Sequence, residues 1–344
     1  MIYVTTISFP WPSHKEKTAI MPVFLPFAGC PSRCIYCAQN LQTAEKVLPL
    51  EERLGQACTM LEDRARNGRG PCELAFYGGT FTAQRDEHFH RCLTMAEAWL
   101  EQGLVSGWRC STRPDSVSGE RLRLMRDAGC SCIELGIQSF SDKVLEKSNR
   151  GYDASAAQEG MQRVREAGFA LGVQLLPGLP GSTACGFLSD VARALAAGCA
   201  LLRFYPCLVV RSTVLAAMYE KGEFVPLDVP ETVTMLAEGL LLANAAGVPV
   251  TRIGVAYEQE FEQHVLAGPR DLNLGTKVRS YALCLALQRS LPKGAELLHA
   301  ALPARSQGYC FGHGGENREL LAGLGLRPEI TQWHDKDEVI LEYR

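Results

Sequence analysis

Short apolar runs alternate with longer helical patterns along the first two thirds of this chain of 344 residues. Such alternation predicts βαβ units around a parallel sheet, and strand tilt with right-handed crossovers curls six such strands into a partial barrel. Ser118 and Asp153 suit helix N-caps, while Gly129, Gly168 and Gly198 suit helix ends. The predicted strands are residues 20–25, 73–77, 107–112, 131–135, 170–176 and 201–205, and the helices are 50–67, 85–102, 119–128, 154–167 and 184–197.

The pattern changes after about residue 226. Two longer helices, at 230–246 and 276–290, and a short one, at 317–323, alternate with strands at 248–253, 296–301, 329–333 and 338–343. We therefore predict an α/β fold, a partial (β/α)6 TIM-type barrel at residues 1–225 with a smaller C-terminal α+β region at residues 226–344.

The composition limits where the protein works. The chain is 47% hydrophobic with a formal net charge of −3, which gives no positive evidence for a broad surface that binds nucleic acids and leaves local basic patches open. It has no apolar run long enough to span a membrane and no convincing signal peptide. Its fourteen cysteines do not form the dense framework of a secreted domain. We expect a cytoplasmic, reduced protein with no membrane partner, suited to an anaerobic or low-oxygen host.

Three cysteines stand close together after the first predicted strand. Cys30, Cys34 and Cys37 have the spacing C-x3-C-x2-C. A cubane iron–sulfur cluster normally takes four thiolates, so three of them leave one iron open to another ligand. The alternatives are three buried thiols or a structural zinc site, which would need a fourth ligand such as His14 and which usually pairs two short ligand clusters. The sequence has no second such cluster, so it favours an open 4Fe–4S cluster.

Polar side chains or glycines follow several of the predicted strands. Barrel enzymes bind their ligands at the carboxyl ends of the strands, where these residues would gather. For each of them alone a capping or loop role is favoured, and only together and in this order do they indicate a ligand site. The candidates are Gly78, Gly79, Thr80, Ser111, Gln138, Arg150 and Gln174.

The cysteine spacing, with Tyr36 before the third cysteine, resembles the radical S-adenosylmethionine (SAM) superfamily. The segments YGGTFT, STRPD, LGIQSF, RGYD and LPGLPGST further resemble the catalytic subunit of Elongator, a radical SAM family that modifies the wobble uridine of tRNA. The LGIQSF segment is shared with oxygen-independent coproporphyrinogen oxidases and their heme-chaperone relatives. The resemblance covers about residues 20–255.

By this resemblance the three cysteines bind the cluster, whose electron splits SAM into methionine and a 5'-deoxyadenosyl radical that abstracts hydrogen from a substrate. The resemblance implies an electron donor of the flavodoxin or ferredoxin type, and a substrate that is a tRNA nucleoside or a small metabolite. Cys310 is a candidate hydrogen donor on the substrate side. The residues that would surround SAM are Tyr36, Gly78, Gly79, Thr80, Ser111, Gln138, Arg150 and Gln174.

Three departures separate the chain from Elongator-type enzymes. Their first two cluster cysteines are further apart, they have a histidine at the position of Gln174, and they carry an acetyltransferase domain for which this chain has no room. An acetyl-CoA-dependent reaction is therefore not expected. The alternative function is a heme-binding or heme-delivery protein on the same scaffold, with His264, His313 or a cysteine as the axial ligand.

Overall fold

The computed structural model describes residues 4–12, 18–42, 48–255 and 259–344. The strands within these ranges are β1 (Thr5–Pro10), β2 (Ile20–Leu25), β3 (Cys72–Gly78), β4 (Val105–Thr112), β5 (Cys130–Gln138), β6 (Ala170–Leu175), β7 (Leu201–Phe204), β8 (Val209–Val210), β9 (Val250–Ile253), β10 (Val265–Ala267), β11 (Leu297–Pro303), β12 (Thr331–His334) and β13 (Glu338–Tyr343). The helices are α1 (Gln39–Gln42), α2 (Leu50–Arg66), α3 (Asp86–Glu101), α4 (Gly119–Asp127), α5 (Asp142–Lys147), α6 (Ala154–Glu166), α7 (Ala184–Ala196), α8 (Val214–Glu220), α9 (Val229–Ala245), α10 (Gln259–Glu262), α11 (Leu274–Ser290) and α12 (Arg318–Gly323).

A curled parallel sheet forms the main body, and it confirms the predicted α/β partial barrel. Its order is β2-β3-β4-β5-β6-β7-β9, so within the described residues it has seven strands where the sequence predicts six. The additional strand, β9, was predicted as part of the C-terminal region. It pairs in parallel with β7, because α9 carries the chain back across the sheet to the open edge of β7.

The two faces of each strand in this sheet have different surroundings, so the strands contain both apolar and charged residues. Side chains on the outer face, such as Phe76, Trp108 and Leu135, are fully buried beneath the surrounding helices. The side chains that alternate with them point into the barrel and include charged residues, Arg109 and Glu134 among them. Apolar packing therefore builds the wall of the barrel, while its interior is polar.

The predicted helix ends are confirmed. The side chains of Ser118 and Asp153 accept hydrogen bonds from the backbone N–H groups of Arg121 and Ala156, which caps α4 and α6. Gly129, Gly168 and Gly198 have positive φ angles and follow the C-cap alanines of α4, α6 and α7. Glycine reaches this conformation without the steric cost of a Cβ, so each helix ends there.

A second sheet has the order β1-β13-β11-β12 and joins the two ends of the described chain. The sequence missed β1, which pairs antiparallel with β13, and the short β8–β10 ribbon. β1, which lies before residue 225, thus pairs with β13, which lies after it. The predicted division into two domains at residues 225 and 226 stays a prediction. No helix among the described residues is long and apolar enough to cross a membrane.

Candidate functional site

The cysteine loop lies between β2 and α1, at the carboxyl ends of the parallel strands. Gln39 closes this loop, because its side-chain carbonyl accepts from the backbone N–H of Phe27 at 2.7 Å. The same side chain donates to the carbonyl oxygen of Gly78 at 2.7 Å. Gln39 therefore ties both ends of the loop to the end of β3, a role that the sequence analysis missed.

The loop after β3 packs directly against the cysteine loop. A Cβ added at Gly79 would lie inside van der Waals contact with the backbone of Ala28, and one added at Gly29 would overlap the carbonyl oxygen of Thr80. Thr80 is fully buried, and its hydroxyl lies 3.3 Å from the sulfur of Cys30. Gly79, which was predicted to let a ligand approach, thus also lets these two loops approach each other, as does Gly29.

Arg150 reaches the cysteine loop from the opposite side. It is 5% exposed, and its Nη1 donates to the sulfur of Cys34 at 3.0 Å and to the hydroxyl of Tyr36 at 3.3 Å. Its Nη2 donates to the carbonyl of Gly136 at 2.6 Å, and both Nη2 and Nε donate to the hydroxyl of Tyr152. These five contacts match the five N–H donors of a guanidinium group.

The backbone on either side of Arg150 is also fixed. The carbonyl of Arg150 accepts from Arg113, whose guanidinium forms a two-point ion pair with Asp115 at 2.8 and 2.9 Å. The side chain of Asn149 donates to the carbonyl of Arg33 in the cysteine loop at 2.8 Å. Arg113 and Asp115 belong to the STRPD segment, so this segment positions Arg150 through its backbone.

Strained backbone is concentrated around this loop. Among the described residues, the non-glycine positions with positive φ are Phe27, Gln138, Asn149 and Ser212. Phe27 begins the cysteine loop, Gln138 ends β5 and Asn149 contacts Arg33. Such conformations cost free energy and persist only where the surrounding structure enforces them, which is typical of ligand sites.

A second polar cluster fills the barrel interior around Glu134, whose carboxylate is fully buried. It accepts from Tyr77 at 2.9 Å, from Arg203 at 2.7 Å and from Gln174 at 2.9 Å. Arg109 contacts Glu134 at 3.4 Å and forms an ion pair with Glu73. Two carboxylates thus face two guanidinium groups, so the cluster is close to neutral.

The other predicted residues are placed as follows. Gln174 donates to Glu134 in the barrel interior, and Ser111 lies on the inner face of β4 opposite Glu134 on β5. The side chain of Gln138 lies beside Gly136, at the end of β5. Cys310 is fully buried in the core, and no contact joins it to the cysteine loop among the described residues.

The cysteine loop fits an open cluster. All three thiols are free and half-buried. In the described part of the chain, no three His, Cys, Asp or Glu side chains converge on the position of one metal ion. The thiolates of a cubane each bind a different iron, so they stand around the cluster and need not converge. His14, the fourth ligand of the alternative zinc site, lies outside the described residues.

The electrostatics of the loop agree with this fit. Burial, and then the neighbouring Cys34 and Cys30, raises the pKa of the Cys37 thiol to about 12. Burial also raises the pKa of Tyr36 well above its usual value, so its phenol stays neutral. The thiolate of Cys37 is therefore disfavoured at neutral pH until iron binds it and displaces its proton.

A cavity opens at the carboxyl ends of the last two barrel strands, and its largely apolar lining includes the charged residues Glu262, Arg270 and Asp271. Pro206 follows β7, Gly254 follows β9, and both line the cavity together with Leu274 at the start of α11. Phe261 and Val265 add further apolar surface. The mouth of the barrel thus offers a cavity beyond the cysteine loop.

Two family models match the chain. The model described as "Radical SAM superfamily" matches residues 24–193, and the model described as "Radical_SAM C-terminal domain" matches residues 199–282. The first match contains the cysteine loop and the segments that hold Arg150. Together the two matches extend from β2 into α11.

Two curated proteins are similar to this chain in sequence, and one solved structure is similar to it in fold. The chain is 26% identical over 268 residues to a tRNA uridine(34) acetyltransferase of Methanocaldococcus infernus, covering 64% of this chain and 48% of that protein. It is 28% identical over 204 residues to the heme chaperone HemW of Bacillus subtilis, covering 58% and 53%. The chain thus spans about half the length of these two relatives. The solved M. infernus Elp3 has the same fold, with a TM-score of 0.59 at 20% identity over 77% of this chain and 62% of that one.

Proposed function

Because the chain belongs to the radical SAM superfamily, whose enzymes use a 4Fe–4S cluster and SAM, we propose that Cys30, Cys34 and Cys37 hold that cluster. The observation that carries the proposal is the set of three free, half-buried thiols on one loop at the barrel mouth. Thr80 and Arg150 contact two of these thiols from opposite sides.

When bound, the reduced cluster would supply one electron that cleaves SAM to methionine and a 5'-deoxyadenosyl radical, which takes a hydrogen atom from the substrate. The protein's own part is to position these groups and to keep water away from them. Gln39 and Thr80 hold the cysteine loop in place. The largely apolar cavity lined by Pro206, Ile253 and Leu274 is suited to the substrate, because it lies at the same mouth.

The remaining predicted SAM contacts, Ser111, Gln138 and Gln174, belong to β4, β5 and β6, and we propose that they face SAM. Ser111 and Gln138 present polar groups that suit ribose hydroxyls or the methionine moiety. Gln174 also lies on this side, although Glu134 already accepts one of its N–H groups at 2.9 Å. An electron donor of the flavodoxin or ferredoxin type would supply the electron.

SAM cleavage is the direct test. The protein is reconstituted with iron and sulfide without oxygen, reduced with dithionite and mixed with SAM, and 5'-deoxyadenosine is quantified by chromatography. We expect product from the wild type and none from the variant in which Cys30, Cys34 and Cys37 are all alanine. Equal product from both proteins would refute the assignment of these ligands.

We propose a tRNA nucleoside as the substrate, since one relative is named a tRNA uridine(34) acetyltransferase. Adding tRNA should then raise the yield of 5'-deoxyadenosine, and the binding measured by gel shift should weaken steeply with salt. A yield that tRNA leaves unchanged, while small metabolites raise it, would favour the small-molecule substrate.

Heme binding is the second candidate, because another relative is named a heme chaperone. His264 is half-buried, and its carbonyl accepts from the backbone of Arg211, while His313 is exposed and lies 3.4 Å from Asn273. Heme titration should give a Soret band that shifts in the His264→Ala or His313→Ala variant if either histidine is the axial ligand. The absence of any Soret band would dispose of this candidate.

A further inference from the structure

Glu134 fixes the orientation of a predicted SAM contact, the side-chain amide of Gln174. The carboxylate of Glu134 is fully buried and only accepts, and the Nε2 of Gln174 donates to it at 2.9 Å. The amide nitrogen therefore faces Glu134, because the opposite orientation would set two acceptor oxygens against each other in a buried site. The amide oxygen of Gln174 is then directed away from this carboxylate.

The carboxylate of Glu134 is itself held by three other donors. Tyr77 donates to it at 2.9 Å and Arg203 at 2.7 Å, and a guanidinium N–H of Arg109 lies 3.4 Å away. Each of the described groups that contact this carboxylate is a donor, so it cannot turn toward another neighbour without losing an existing bond. The cluster in the barrel interior therefore holds the amide of Gln174 in one orientation.

The amide oxygen of Gln174 is open to a ligand. Gln174 is half-buried near the carboxyl end of β6, and no N–H or O–H group of the described residues donates to this oxygen. A carbonyl oxygen binds a donor, so the position suits a hydroxyl group. The carboxylate of SAM is disfavoured here, because it has no donor for this oxygen and the nearby negative charge of Glu134 would repel it.

We propose that Glu134 is a positioning residue, which makes Gln174 present its amide oxygen to a ribose hydroxyl of SAM. This inference rests on the proposed function, because it needs SAM at the barrel mouth. Of the two kinds of group that could contact Gln174, the ribose hydroxyls and the methionine carboxylate, it selects the hydroxyls. The buried carboxylate thus controls ligand recognition as well as stability.

The test measures how SAM and its 2'-deoxy and 3'-deoxy analogues bind to the reconstituted protein, by equilibrium dialysis. Without a reductant SAM is not cleaved, so the readout is a dissociation constant and not turnover. In the wild type, one of the two analogues should bind about fivefold more weakly than SAM, which is the effect of one neutral hydrogen bond. In Gln174→Leu this discrimination should fall to within about twofold, because the acceptor is gone.

Variants of the carboxylate separate positioning from a purely structural role. Glu134→Gln lets the amide of Gln174 turn, so the discrimination should fall to within about twofold. The double variant Glu134→Gln with Gln174→Glu exchanges the two groups and should keep at least fivefold discrimination, because a carboxylate oxygen then accepts from the hydroxyl. This exchange leaves an anion beside Arg203, the residue directly opposite Gln174 on β7. Glu73→Gln is the matched control, since it breaks the ion pair with Arg109 in the same cluster and should keep the discrimination.

Equal binding of SAM and both analogues to the wild type, or full discrimination in Gln174→Leu, would overturn the inference. Full discrimination in Glu134→Gln would also overturn it, as would an equal loss in Glu73→Gln. If Glu134→Gln does not fold, the double variant decides, because retained discrimination supports the inference and lost discrimination refutes it. A wild type that takes up no iron and sulfide, or that binds no SAM, would instead overturn the proposed function.

Discussion

Two buried polar centres of the barrel differ in one respect, the balance of their charges. Around Glu134 two carboxylates face two arginines, and Tyr77 and Gln174 complete the carboxylate's hydrogen bonds. At the mouth, Arg150 faces thiols and phenols and has no acidic partner among the described residues. The charges of the barrel interior therefore balance within the fold, although the Nε atoms of Arg109 and Arg203 have no hydrogen-bond partner there. At the mouth, the described residues leave the charge of Arg150 without an acidic partner.

The largest effect is expected from a substitution at the barrel mouth. Cys34→Ala removes a cluster ligand and the thiol nearest to Arg150, so we expect iron and sulfide uptake to be lost, as measured by metal analysis and visible absorption. Cys185→Ala is the matched control, because Cys185 is exposed and lies outside the loop. Full iron uptake by the Cys34 variant would show that this cysteine is not a ligand.

A substitution in the barrel interior should lower the stability of the fold. Glu134→Gln leaves Arg203 buried without its anion, and breaking a buried ion pair in this way costs about 3–5 kcal/mol. Denaturant unfolding of the cluster-free protein measures this loss. Arg150→Gln should cost less than Glu134→Gln, because it removes a charge that the cluster-free protein does not balance. The opposite order would break the comparison between the two centres.

Packing between the two mouth loops gives a smaller effect. Gly79→Ala places a Cβ against the backbone of Ala28, and overpacking of this kind costs roughly 1–3 kcal/mol. We expect a lower midpoint of denaturation together with reduced iron uptake, since the displaced backbone belongs to the cysteine loop. Gly55→Ala, in an open position on α2, should instead stabilise the protein by roughly 0.5–1 kcal/mol. Equal effects of the two changes would argue against close loop packing.

The smallest effect is expected from removal of the Thr80 hydroxyl. Thr80→Val keeps the shape of the side chain and removes its contact with the sulfur of Cys30, a change worth about 1 kcal/mol. The cluster should still assemble, and the yield of 5'-deoxyadenosine should fall by a few-fold at most. A complete loss of product would mean that Thr80 contacts SAM as well as the loop.

The fold was largely predictable because its signals are local. Apolar runs and helix caps placed six barrel strands and the helices between them, often to within a residue. The position of β9 in the barrel sheet could not be predicted from the sequence. Strand order across the long α8–α9 connection depends on which edge of the sheet is open. The same limit hid β1, whose partner β13 lies at the far end of the sequence.

The site was predictable in its motifs and not in its contacts. The cysteine spacing and the segments after each strand indicated which residues gather at the mouth. That Gln39 bridges to Gly78, or that Arg113 holds the backbone of Arg150, depends on distances across the chain that no local pattern records. The sequence carries one signal from which the inner cluster could have been predicted. Arg109, Glu134 and Arg203 each interrupt an apolar strand at an inward position, which indicates a polar barrel interior.

The most direct test of the central claim is an EPR spectrum of the reconstituted, dithionite-reduced protein before and after SAM is added. The account predicts a reduced-cluster signal that changes shape with SAM, because one iron has no protein ligand, and no signal from the variant lacking Cys30, Cys34 and Cys37. A cluster signal that SAM leaves unchanged, or one that survives in that variant, would contradict it.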